Sequence, residues 1–172
     1  DGRDDLRTKG SALALRVVVR RDGKRFELPL GRGVAAGSGA RGAELPRLRA
    51  GDALRFVVTV GRRGYLAVFS VDGRRQVTSF YPQTSDDPAL SKKPLRLARA
   101  GKHVLPGSVV LDDAPGREHV VVVFGLRAFD RAALARRAAR LILSGQALTA
   151  QALGVDAIAR LSFDRDREGP TE

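Results

Sequence analysis

The run Tyr65-Leu66-Ala67-Val68-Phe69-Ser70-Val71 restricts this chain more than any other segment, being apolar at successive positions and bounded by Gly64 and by Asp72-Gly73. Successive side chains of a strand point to opposite faces. Apolar residues at both kinds of position need cover on both sides, so the run predicts a central strand enclosed between layers.

The neighbouring segments supply that cover. Leu54-Arg55-Phe56-Val57-Val58-Thr59-Val60 alternates, with Leu54, Phe56, Val58 and Val60 on one face, and Arg62-Arg63-Gly64 turns the chain back. Asp72-Gly73 predicts a hairpin turn, after which residues 76–81 continue the meander. Pro82 stops it, having no N–H to give a ladder, and residues 83–94 read as a polar loop. Upstream, Leu13, Leu15, Val17 and Val19 share one face of a strand ending at Arg20. Asp22-Gly23 then favours a tight hairpin, because Gly accepts the positive φ such turns require, and residues 26–30 form the return.

Downstream, Gly and Pro punctuate short strands near residues 95–98, 108–111 and 119–124. The period changes at Asp130, an N-cap for a helix over residues 131–143 whose Leu134, Ala138, Leu141 and Ile142 share a face; Gly145 ends it. A helical turn at 149–153 and a final strand at 157–163 follow. The expectation is a mainly β, antiparallel β-sandwich-like domain with an N-terminal β-hairpin and one C-terminal α-helix packed on the sheet. It is a single domain, 1–172: hairpin 1–30, Gly-rich linker 31–46, β core 51–130, helix and final strand 130–163, solvated tail 164–172. No internal repeat is evident, since the two Asp-Gly turns share no flanking pattern.

At 172 residues and 43% hydrophobic content the chain builds one core of ordinary size. The absence of Cys excludes disulfides, thiolate nucleophiles and cysteine metal sites. The absence of Met and the charged opening Asp1-Gly2-Arg3-Asp4-Asp5 predict a soluble piece of a longer, processed or excised protein. A net charge of +12 suits acidic partners. With 5% aromatic residues there are few stacking platforms, which argues against nucleic acid, and the Arg, Ala and Gly richness also reads as high-GC coding bias.

The candidate motifs resolve mostly into scaffold. Gly37-Ser38-Gly39-Ala40-Arg41-Gly42 has G-x-G-x-x-G spacing without the preceding strand and following helix that would bring a phosphate to a helix N-terminus. His103 and His119 lack metal-ligand spacing, and His119 reads as a residue at a sheet edge. Ser70, Ser79 and Ser108 lack a nucleophile elbow. Asp112-Asp113 and Asp86-Asp87-Pro88 read as turns whose carboxylates accept backbone N–H groups, not as cation sites. Tyr65, Tyr81, Phe69 and Phe80 are expected to fill the sandwich. No catalytic, cofactor-binding or metal-binding residue is expected. Arg136, Arg137 and Arg140 form a basic strip on the helix, a candidate partner-binding face as well as an ordinary solvated one.

Gly51-Asp52-Ala53-Leu54-Arg55-Phe56, the stretch from Gly64 to Asp72, Tyr81-Pro82, the stretch from Leu105 to Asp112 and Pro115-Gly116-Arg117-Glu118 resemble the bacterial domain-of-unknown-function family 4384 over roughly residues 51–130. The resemblance implies an envelope or secreted context, either in a membrane-anchored regulator with an anti-sigma-like segment or beside a caspase-like peptidase. The expectation is a non-enzymatic, extracytoplasmic sensing or protein-interaction domain whose partner is an unknown protein or envelope ligand. It would meet a membrane only through a segment outside this chain. The alternatives are an accessory or substrate-recognition domain of a caspase-like peptidase and an anionic-polymer-binding module.

Overall fold

A computed structural model describes residues 13–28, 45–83, 87, 90 and 92–165. The alternating runs become two sheets. The first has five strands, β1 (Leu13–Arg21), β2 (Lys24–Glu27), β4 (Ala53–Val60), β8 (Gly101–Val104) and β9 (Val109–Val110), in the order β2-β1-β4-β8, with β9 also on β4. The second has six: β3 (Arg47–Leu48), β5 (Gly64–Val71), β6 (Val77–Tyr81), β7 (Leu95–Leu97), β10 (Gly116–Gly125) and β11 (Ala157–Arg165). Its order is β3-β11-β10-β5-β6, with β7 also on β5. All pairs are antiparallel except β3 with β11.

Val17, Val19, Leu54, Phe56, Val58 and Val60 of the first sheet meet Leu66, Val68, Val120, Val122, Phe124, Leu161 and Phe163 of the second in one core. The other faces of β5 and β10 carry Ala67, Phe69, Val121 and Val123, which pack under α1 (Arg131–Leu143) and α2 (Ala150–Leu153). The two-faced apolar run is thus enclosed as its sequence requires, and the domain is a mainly β sandwich with a helical layer on one side. Phe69 lies under that layer and not inside the sandwich, while Tyr65 is half-buried.

Capping fixes the helices. The Asp130 carboxylate accepts from the Ala133 N–H at 2.9 Å, and the Gly145 and Gln146 N–H groups return to the carbonyls of Ile142 and Leu141, closing α1 with Gly145 at φ 69°. Thr149 caps α2 in the same manner as Asp130 caps α1.

The structure revises several boundaries. β1 pairs with β4 from Leu13↔Val60 to Arg20↔Ala53, and β11 lies between β3 and β10, so the hairpin and final strand complete the two sheets instead of flanking a core at 51–130. The tail expected from residue 164 begins later: Asp164 and Arg165 are strand residues, paired with Arg47 and Leu48. Charge at the strand end suggested solvent, yet the Arg165 side chain is only 6% exposed. The Asp22-Gly23 turn has positive φ at both residues, as a two-residue hairpin of this twist demands. At the second hairpin the positive φ falls on Arg75, and the Asp72 carboxylate accepts from the N–H groups of Arg74 and Gln76. The linker at 31–46 and the Gly37 to Gly42 motif lie outside the described residues, apart from Leu45 and Pro46.

Gly64 is needed for close approach: a Cβ there would stand 2.6 Å from both the Phe124 ring and the Gly125 carbonyl oxygen. Gly64→Ala is expected to cost about 2 kcal/mol, because the clash is with backbone and a core ring. Urea denaturation at pH 7 measures it.

Candidate functional site

The two sheets differ in what covers their outer faces. That of the second carries α1 and α2; among the described residues no helix covers that of the first, and register determines which residues it presents. Val18 stands opposite Glu27 and Arg55, Arg20 opposite Arg25 and Ala53, Arg16 opposite Val57, Val57 opposite Val104, and Thr59 opposite Lys102. These positions alternate with the core-facing residues, so they share the outer surface.

Arg16, Arg20, Arg25, Arg55 and Lys102 therefore stand among Val18, Val57, Val104 and Val110, with Glu27 the acid on that face among the described residues. Glu27 is taken up by Arg16 at 2.9 Å, both half-exposed. Val104 and Val110 are 55% and 63% exposed, so the face offers apolar contact as well as charge. Between these rows runs a groove of about 600 Å³ lined by Val18, Arg20, Arg25, Arg55, Val57 and Val104. The face thus presents cations spaced by aliphatic patches.

At the edge of this sheet a buried carboxylate ties the end of β1 to the loop before β4. Arg21 donates to Asp52 from Nε at 2.8 Å and from Nη2 at 2.5 Å, and the Arg49 N–H donates to it at 2.9 Å. Burial works to raise the Asp52 pKa, but these hydrogen bonds and the charges of Arg21 and Arg49 outweigh it, leaving the carboxyl below its usual 3.8.

At one mouth of the sandwich β10, β11 and the loop after β9 enclose a second polar group. Glu118, 5% exposed at its side chain, lies 2.8 Å from Nε of Arg165. Arg165 also reaches the Asp112 carboxylate and, at 3.0 Å, the Ala114 carbonyl oxygen. Burial pushes the Glu118 pKa up against the opposing pull of Arg165 and Ser70, whereas the Arg165 hydrogen bond lowers that of Asp112. Asp112 also accepts from the Ala114 N–H at 3.1 Å, the turn role expected for it.

The residues singled out from sequence separate. Arg136, Arg137 and Arg140 are all exposed on the outer side of α1, on the opposite side of the molecule from the first sheet's face. Arg131 in the same helix is buried, which its composition did not announce. His119 does not stand at a sheet edge: β10 is flanked by β5 and β11, and its Nδ1 lies 2.8 Å from the Ser162 hydroxyl. Burial, with Arg160 and Arg117 nearby, lowers its pKa. His103 Nε2 contacts the Arg99 carbonyl at 3.0 Å. Ser70 is buried, Ser79 donates to the Pro82 carbonyl at 2.9 Å, and Ser108 borders the basic groove. Asp86 and Pro88 lie outside the described residues. Among the described residues no three His, Asp or Glu groups converge as a metal site, and no helix is long and apolar enough to cross a membrane.

The outward rows of β1 and β4 were readable: Arg16-x-x-x-Arg20 and Arg55 alternate with the core positions. Their convergence with Lys102 and Arg25 needed the register.

Fold and face together define a β-sandwich with one helix-covered sheet and one basic sheet that no helix covers among the described residues. The chain matches no protein-family model and no curated protein.

Proposed function

We propose that this chain is a non-enzymatic interaction domain that captures an acidic segment of a partner protein on the outer face of its five-stranded sheet. The observation that carries the reading is the concentration of Arg16, Arg20, Arg25, Arg55 and Lys102, interspersed with exposed valines, on the one broad sheet face that no helix covers among the described residues. Nucleic acid is a poorer fit, because Phe26, over whose ring Arg21 lies, is the one aromatic residue lining the groove among the described residues, where single strands stack successive bases on several rings. The resemblance over residues 51–130 supports an extracytoplasmic setting as part of a membrane-anchored bacterial regulator, anti-sigma-like in organisation. In that setting the captured segment belongs to an envelope protein.

A fluorescent peptide of alternating Asp and Val tests the reading by anisotropy. Binding is expected to weaken at least tenfold, about 1.4 kcal/mol, in the Arg20→Glu/Arg55→Glu variant. It should also fall steeply as salt rises, since exposed charges are screened within ~10 Å at 0.1 M. Unchanged binding in that variant refutes the assignment. So does loss of binding in Arg136→Glu/Arg137→Glu/Arg140→Glu alone, which would move the interface to α1. Tighter binding of an oligonucleotide than of the peptide would establish the anionic-polymer alternative instead.

A further inference from the structure

A second groove lies on the other side of the molecule, between α1 and the β5–β6 edge, and it ends on a buried cation. Its floor is Ala67, Phe69 and Val77 and its helix wall Ala132 and Ala135; the cavity volume is about 250 Å³. The alanines leave this room, because larger side chains at those positions would close a space that protein interiors normally fill. Arg131 lies at one end and is 4% exposed.

Neutral oxygens hold Arg131. Nη1 donates to the Pro82 carbonyl at 2.7 Å and to the Ser79 hydroxyl, and Nη2 to the Gln83 carbonyl at 3.3 Å; Nε has no hydrogen-bond partner among the described residues. Among those residues no carboxylate pairs with it either. A buried charge that only neutral oxygens surround is costly, and pairing it with an anion removes the cost. Arg136, exposed on the rim of the same groove, adds a second positive group.

We propose that this groove binds a short aliphatic monocarboxylate, its alkyl chain on Ala67, Phe69 and Val77 and its carboxylate facing Arg131 and Arg136. The planar guanidinium matches the carboxylate geometry, and the small volume limits the chain to a short one. The site is separate from the first sheet's basic face, so it goes beyond the protein-interaction reading and stands or falls independently of it.

The test is a titration of the full chain with octanoate followed by ¹H–¹⁵N NMR, with octan-1-ol as the uncharged comparison. Saturable shifts on α1, β5 and β6 are expected, with the alcohol at least tenfold weaker. Ala132→Leu, which fills the groove and leaves Arg131 in place, should weaken octanoate at least tenfold at unchanged Tm. Arg136→Gln should weaken it severalfold. Equal binding of acid and alcohol, octanoate binding unaffected by a folded Ala132→Leu, or no saturation below about 10 mM each overturns the proposal. Should Ala132→Leu lose its fold, the acid–alcohol comparison on the unaltered chain decides.

Discussion

Arg165→Ala is expected to lower stability by about 3–5 kcal/mol at pH 8, because it removes the charge beside Glu118 and leaves that carboxylate buried. The loss should shrink as pH falls and Glu118, its pKa already raised by burial, takes up a proton, so that the uncompensated charge disappears. Denaturant midpoints of both proteins across that range measure it. The paired variant Glu118→Leu/Arg165→Met should recover most of the loss, since apolar residues of similar size often replace a buried ion pair at little cost. A pairwise coupling near zero in that cycle would mean that Arg165 acts through Asp112 and Ala114 instead.

The same carboxyl sets the sign of a pH effect in the unaltered protein. A folded pKa above the ordinary 4.5 makes the protonated form of Glu118 the better fit. Its contribution is therefore complete below 4.5 and is lost as pH rises through the folded value. Asp52 and Asp112 run the other way, their folded pKa values lying below 3.8, so their contributions are present above that value and vanish as pH falls through the folded ones. Glu118→Gln should accordingly flatten the profile on the alkaline side of 4.5 while leaving the acid limb intact.

Phe56→Ala is expected to cost about 3–5 kcal/mol, the range for truncating a fully buried aromatic ring. Phe56 belongs to the first sheet, and its ring meets Tyr81 of the second edge-on at 5.9 Å and Phe80 at 6.0 Å. Those contacts add to the area it buries and join the two sheets at one point. Thermal unfolding with a lowered Tm, and a urea midpoint shift at unchanged slope, would show that the fold persists with less stability. Phe56→Leu, which keeps most of the apolar volume, should lose less than half as much.

Much of the sandwich was legible because period-2 burial leaves a direct mark on sequence. Leu54, Phe56, Val58 and Val60 face inward as their alternation requires, and the two-faced run at 65–71 does lie between layers. The Asp130 cap and the Gly145 stop bound α1 as expected. What escaped was decided by partners distant in sequence. Arg47-Leu48 is too short to show a period and becomes a strand only against Asp164 and Arg165. Gly101-Lys102-His103-Val104 is mostly polar because one side of it faces water, and β4 makes it a strand. Arg165 resembles tail charge until Glu118 is seen beside it, and Arg131 resembles its helix neighbours until Ser79 and Pro82 are seen to receive it. The basic face was half-visible: each strand displays its own outward arginines, but only the strand order shows that they share a surface.

The position of β11 has a consequence for how the polypeptide acquires its shape. Both strands that flank it, β3 and β10, precede it in the chain, and the parallel pairing joins Arg47 to Asp164. Loop closure over such a separation makes assembly slow and late. Until that strand emerges during synthesis, the valine-rich margin of β10 has no neighbour on that side. Such a margin invites pairing with other chains. An escort that shields this edge, or a pace of synthesis that shortens its exposure, would then raise the yield of native protein without changing the stability of the finished sandwich.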